Sequence, residues 1–420
     1  MMEIFEQLES EVRGYCRSWP TVFRTALGSR VYDENGGSYL DFFAGAGALN
    51  YGHNHPQLKS SLLNYLAGDN IVHSLDKHTV AKRHFLEKFQ EVVLSPRGLD
   101  YKIQFPGPTG TNAVEAALKL ARKVTGRQTI VNFTNAFHGM TLGSLAVTGN
   151  SMKRNGAGVP LNHTVTMPYD NYLDGRTPDF LLFERLLEDS GSGIDKPAAV
   201  IVETVQGEGG LNPASAEWLR GLAGLCGRHD ILLIVDDVQM GCGRTGPFFS
   251  FEPAGITPDI VCLSKSLSGY GLPLALTLIR ADLDVWEPGE HNGTFRGFNP
   301  AFVTAAAALD FWTDERLAKE TVEKGLQVRQ ALNLITAEHS DVITGVRGRG
   351  LAWGLVFDRP ELAPKVCAAA FERGLLMETS GPEDEVAKLL PPLTTSDEEL
   401  AEGLDLIAES VAAVCAKQPA

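Results

Sequence analysis

Between about residue 100 and residue 265, short and mostly apolar runs alternate with longer amphipathic stretches, and few folds accommodate that order. The runs are YKIQF (101–105), TIVNF (129–133), AAVIVE (198–203), ILLIVDD (231–237) and DIVCLSK (259–265). NAVEAALKLARKVTG (112–126) and AEWLRGLAGLCGRHD (216–230) have helical spacing, and Gly126 is placed to stop the first. A strand that is apolar on both faces must be covered on both. The pattern therefore predicts a mainly parallel sheet between layers of helix, an α/β fold. In such sheets ligands bind outside the carboxyl ends of the strands.

The flanks read differently. RVYDENGGSYLDFF (30–43) is two short alternating strands around Asn35-Gly36-Gly37, a hairpin signal. A loop of small residues, AGAGALNYGHNHP, leads into a helix from Gln57. Beyond about 320, GLQVRQALNLITAEH is helical and VITGVRGRGLAWGLVFD suggests antiparallel strands with glycine turns. KVCAAAFERGLLMET and DEELAEGLDLIAESVAAVCA read as further helices. The expected organisation is an N-terminal segment, 1–55, joining a small α+β domain formed by 321–420, with a large domain over 56–320.

Charge and cysteine usage exclude several classes. Lys and Arg number 37 against 52 Asp and Glu, a net charge of −15. Nucleic acids and anionic membranes both call for a basic surface. The N-terminus lacks the basic and apolar regions of a signal peptide, and no apolar run approaches a membrane span. A soluble cytoplasmic protein is expected. The six cysteines form no CxxC pair, which points to free thiols rather than a zinc or redox site. His53 and His55 in GHNHP make a poor metal pair, and no metal is expected.

Four features fall at carboxyl ends of the expected strands. Lys265 follows DIVCLS directly, where a desolvated amine of lowered pKa could form a Schiff base. Asp236 ends ILLIVDD and could cap a helix, join an ion pair or hold a ring nitrogen protonated. Thr109-Gly110-Thr111 opens a helix, where N–H groups and hydroxyls can hold phosphate, although Thr111 could simply be its N-cap. Phe137-His138-Gly139 follows TIVNFTN, and an aromatic there can stack on a flat heterocycle or pack in the core. Together they could grip pyridoxal phosphate by its aldehyde, ring nitrogen, phosphate and ring face.

The run ILLIVDDVQMGCGRTGPFFSFEPAGITPDIVCLSKSLSGYGLP resembles the signature of the class III (ω-type) aminotransferases of PLP fold type I. GTNAVEAALKLAR, FHGMTLGSLAVTG and ETVQGEGG are similar to that family too. The resemblance covers nearly the whole chain. It implies pyridoxal phosphate as cofactor, Lys265 as the lysine that bonds to it and Asp236 as the partner of its ring nitrogen. It also implies Val238 on one ring face, Phe137 on the other, Gln239 near the ring hydroxyl, Thr109, Gly110 and Thr111 at the phosphate, and His138 among the cofactor-binding residues. Thr294, in HNGTFRG, resembles a threonine that reaches the phosphate of a neighbouring subunit, so self-association with the site at the interface is implied. Glu208 resembles a gate between substrates with one and with two carboxylates.

Two departures bear on substrate. Met140 and Lys388 stand where many family members have arginine, whose fork grips a carboxylate in bidentate fashion. Ala46 and Gly47 are small where related chains carry bulk. With KLLPPL and SLSGYGLPLA, the resemblance implies transfer of the amino group of L-glutamate to L-aspartate 4-semialdehyde. That reaction makes the L-2,4-diaminobutyrate of ectoine synthesis. The alternatives it leaves are ornithine, acetylornithine or 4-aminobutyrate as substrate, or an aminomutase or decarboxylase.

Overall fold

The computed structural model describes residues 3–173, 175–176 and 180–416. Its centre is a seven-stranded sheet of β1 (Tyr101–Gln104), β2 (Ile130–Phe133), β3 (Thr164–Met167), β4 (Ala199–Val202), β5 (Leu232–Asp236), β6 (Ile260–Leu263) and β7 (Leu276–Arg280). Their order is β1-β7-β6-β5-β4-β2-β3. The central strands are parallel, and every residue of β2, β4, β5 and β6 is buried. That explains their mainly apolar character: helices cover both faces, and the polar exceptions are Asn132, which accepts from the Thr166 hydroxyl, and Asp236 at the end of β5.

The sheet is mixed rather than wholly parallel. β7 runs antiparallel to both β6 and β1. The sequence reading did not mark it as a strand. The segment between Leu263 and Leu276 holds one short helical turn, Lys265–Ser268, and glycine turns, not the crossover helix that a parallel return usually uses. Because β7 reverses twice, β1 again points with the parallel set, and the carboxyl ends of β1, β2, β4, β5 and β6 share one edge.

Helix Gly110–Thr125 buries Ala113, Val114, Ala117, Leu118 and Ala121 against this sheet. It ends at Gly126, whose φ of 68° is the left-handed cap that glycine adopts without strain. Helix Ala216–Arg228 begins with Ser215 accepting from the Trp218 N–H at 3.2 Å.

The hairpin around Asn35-Gly36-Gly37 is present: Arg30–Asp33 pairs antiparallel with Ser38–Asp41. Leu375–Leu376 adds to Ser38–Asp41 in parallel, tying the N-terminal segment to the C-terminal part of the chain. A second four-stranded sheet contains Ile343–Arg349, Ala352–Phe357, Val386–Leu389 and Glu378–Ser380, all antiparallel. The stretch KVCAAAFERGLLMET is not one helix. The helix is Leu362–Glu372, and Gly374 at φ 87° turns the chain into two short strands, Leu375–Leu376 and Glu378–Ser380. Among the described residues no helix is long and apolar enough to cross a membrane.

Candidate active site

The shared strand edge opens on a cavity of about 330 Å³. Its walls include Thr109, Gly110 and Thr111 after β1, Phe137 and His138 after β2, and Glu203 and Glu208 after β4. Asp236, Val238 and Gln239 after β5 and Lys265 after β6 complete them. Met140 is half exposed at this cavity.

Asp236 is the last residue of β5 and is buried. One of its oxygens accepts from the Val238 N–H at 3.1 Å, and the other is 2.7 Å from His138 Nδ1. Burial works to lower the His138 pKa, but the hydrogen bond to Asp236 and its charge outweigh it and hold the value above the ordinary one. His138 Nε2 is buried and has no hydrogen-bond partner among the described residues.

Lys265 opens a short turn after β6 with φ at 47°, an uncommon backbone state for a residue with a side chain. Its amine donates to the Ala46 carbonyl at 2.8 Å. Burial lowers its pKa, with Lys388 adding to the effect and Glu208 opposing it. The acceptor is presented by an unusual turn. Ala44, Gly45, Ala46 and Gly47 all have positive φ, at 46°, 60°, 56° and 82°. Such a left-handed turn costs about 1–2 kcal/mol at each alanine, so contacts around it must hold it. Asp41 accepts from the Phe43 and Ala44 N–H groups at 3.0 and 2.8 Å. The Ser266 hydroxyl donates to the Gly47 carbonyl at 2.7 Å, and Gln239 Nε2 donates to the Ala46 carbonyl at 3.0 Å. Ala46 thus meets the site through its carbonyl, while the Gly47 carbonyl is held by Ser266 outside the cavity lining.

At the helix start, Thr109 rather than Thr111 is the N-cap, and its N–H donates to Asn112 Oδ1 at 3.2 Å. This leaves the Thr111 hydroxyl to Thr141 and Ser144, at 2.7 and 2.9 Å. A Cβ on Gly110 would lie 2.7 Å from Val238 Cγ1, so only glycine lets the helix start come down onto that side chain. The N–H groups of the first helical turn have no intrahelical partner and suit an anion. A helix start, two apolar side chains, a buried carboxylate and a buried amine around one cavity fit a flat, phosphate-bearing aldehyde.

Two expected members are elsewhere. Thr294 does not line the cavity; it is exposed, and its carbonyl is 2.7 Å from His73 Nε2. Lys388 is fully buried behind Glu208, 2.8 Å from it. His53, half of the weak metal pair, is 2.6 Å from Asp41 and serves the same turn.

The sequence reading gave no role to Glu203, although an acid ending AAVIVE is the kind of signal that singled out Asp236. Its oxygens accept from the Phe137 N–H at 2.9 Å and the Gly207 N–H at 3.2 Å. Burial pushes its carboxyl up to about 7, with His138 opposing and Asp236 adding. A folded value above the free value of 4.5 means stability present below that pH and lost as pH rises through 7. Glu203→Gln abolishes this dependence. Its stability relative to wild type should rise by up to about 3 kcal/mol between pH 4.5 and pH 8, measured by urea unfolding. A pH-independent difference would contradict the assignment.

The profile of the family Aminotransferase class-III matches residues 16–411. The chain is 66% identical to a diaminobutyrate–2-oxoglutarate transaminase of Streptomyces avermitilis, over 98% of this chain and 97% of that one. It is 59% identical to one of Halalkalibacterium halodurans, over 98% and 97%. Among solved structures, the ornithine aminotransferase of Toxoplasma gondii superposes with a TM-score of 0.86 at 28% identity, covering 99% and 95%. The N-acetylornithine aminotransferase of Stenotrophomonas maltophilia gives 0.77 at 26%, covering all of both chains.

Proposed function

The chain belongs to the class III aminotransferases, and on that premise we propose that it moves an amino group from L-glutamate to L-aspartate 4-semialdehyde. The products are 2-oxoglutarate and L-2,4-diaminobutyrate. The observation that carries the substrate pair is the near-full-length likeness to transaminases named for diaminobutyrate and 2-oxoglutarate. The diaminobutyrate would serve ectoine synthesis, a reading that the acidic balance of the chain, −15, suits in a salt-stressed cell.

The family implies pyridoxal phosphate. Lys265 would hold its aldehyde carbon, Asp236 its ring nitrogen, Val238 and Phe137 its two faces, Gln239 its ring hydroxyl side, and Thr109, Gly110 and Thr111 its phosphate. Thr294 would reach the site of a second copy of the chain, a role supported by its exposure beside Phe295, itself 65% exposed. When bound, the cofactor supplies a carbonyl that takes up amino groups and a ring that accepts electrons.

The residues supply the rest. Burial favours the neutral amine of Lys265, which can take the proton from the substrate carbon that bears the departing nitrogen. The Ala46 carbonyl is an acceptor that would orient this amine while it is released from the cofactor. Asp236, held by His138, would place its carboxyl against the ring nitrogen, which must stay protonated. Glu208 and Lys388 lie beyond Gln239, where the distal end of a substrate arrives.

The test is to titrate the yellow holoenzyme with single amino donors and follow its visible absorbance. Diaminobutyrate and glutamate should bleach it; L-ornithine and 4-aminobutyrate should not. Bleaching by ornithine or 4-aminobutyrate with diaminobutyrate inert would overturn the substrate pair and leave the family.

A further inference from the structure

Lys388 Nζ is fully buried and stands 2.8 Å from a carboxylate oxygen of Glu208 and 2.8 Å from one of Glu378. Burial works against its charge, but the two carboxylates outweigh burial and hold the ammonium above its ordinary range. The carboxylates are anchored in different ways. Glu378 lies on Glu378–Ser380, directly opposite Lys388 on Val386–Leu389, so sheet pairing keeps the two together. Glu208 sits in the loop after Val205–Gln206, shares the same oxygen with Gln239 at 3.1 Å, and lines the cavity, which Glu378 does not. Burial, with the Glu208 charge adding, raises the Glu378 carboxyl above its ordinary range, and Lys388 opposes the rise. With both carboxylates ionised, one cation between two anions leaves this trio with a net charge of −1.

We propose that Glu378 is a positioning residue that sets substrate selectivity: a fixed counter-charge that keeps Lys388 neutralised and limits the grip of the site on a second substrate carboxylate. Glu208 can leave Lys388 without exposing a bare buried ammonium, because Glu378 remains. A distal carboxylate that arrives there then meets a paired lysine instead of a free one. It also adds an anion beside a trio that already carries an excess negative charge. This penalty falls on glutamate and 2-oxoglutarate, whose distal end is a carboxylate. It passes over diaminobutyrate and aspartate semialdehyde, whose distal end carries one ammonium and one carboxylate and sums to zero. The inference rests on the substrate pair proposed above. It gives the fixed glutamate a purpose that packing alone does not: two acids on one buried lysine leave an excess charge, and an excess charge discriminates between ligands of different charge.

Glu378→Gln removes the charge and leaves Lys388 paired with Glu208, so no buried charge is stranded. The KM for 2-oxoglutarate should fall by about 3- to 10-fold while that for diaminobutyrate changes less than about twofold. Glutarate, a five-carbon dicarboxylate that cannot react, should bind the resting holoenzyme tighter by the same factor in calorimetry. Glu378→Asp keeps the charge and should restore wild-type values. If Glu378→Gln does not fold, Glu378→Met, of similar volume, is read in the same way. An unchanged or weaker glutarate affinity in the neutral variants overturns the proposal. So does an aspartate variant that behaves like the neutral ones, since shape rather than charge would then be at work. Diaminobutyrate that fails as a substrate of the wild type overturns the substrate pair instead, and glutarate binding still decides the role of Glu378.

Discussion

Replacing Lys265 by alanine should lower transamination by about 10⁴-fold or more while the protein still folds. General acid–base catalysis by a positioned group contributes up to about 10⁴-fold, and the same amine is the proposed covalent anchor of the cofactor. The fold should survive because the substitution deletes a desolvated amine and leaves the backbone possible. Ala44 and Ala46 already occupy positive φ nearby, so alanine at the φ of 47° found at Lys265 adds no strain of a new kind. Single-turnover kinetics with glutamate, beside a circular-dichroism melt, separate the two effects. Activity within tenfold of wild type would remove Lys265 from the centre of the mechanism.

Replacing Lys388 by methionine should cost about 3–5 kcal/mol of stability at neutral pH, because it strands Glu208 and Glu378 together in a buried place. The pH dependence identifies the cause. Burial would raise the Glu208 carboxyl, but Lys388 and Lys265 and its hydrogen bonds hold it at about 2, against an ordinary 4.5. A lowered folded value means stability present above pH 4.5 and lost as pH falls towards 2. The gap between wild type and Lys388→Met should therefore be widest near pH 7.5 and close as the solution is acidified. Urea unfolding at pH 7.5 and 4.5 measures it. Equal stability at pH 7.5 would mean that the ion pairs contribute nothing net, and a gap that widens in acid would reverse the argument. Lys388→Arg, which keeps a cation, should lose far less.

Local signals identified much of this molecule because they are covalent neighbours of the structure they produce. The mainly apolar runs at 129–133, 198–203, 231–237 and 259–265 are strands because burial on both faces favours apolar residues, with polar ones mostly at the ends. Asp236 and Lys265 stand out because each directly ends such a run. The end of helix Gly110–Thr125 is visible in Gly126, the residue that tolerates the left-handed cap. Elements whose partners are distant in sequence were harder to see. LLMET continues a helical spacing and becomes two strands only because Ser38–Asp41 and Val386–Leu389 are there to pair with them. Leu276–Arg280 is a strand because β1 and β6 present two edges to it.

The sequence by itself determined the layered α/β architecture, the edge of the sheet on which the candidate site opens, and the lysine and aspartate that stand there. These follow from hydrophobic periodicity and from residues at the ends of runs, which depend on neighbours a few positions away. Tertiary structure alone decided that an alanine carbonyl 219 positions from Lys265 receives its amine. It also decided that Lys388 has two acids rather than one. Neither contact has a local signature, because the first depends on a strained left-handed turn held by Asp41 and Ser266, and the second on the register between two short strands.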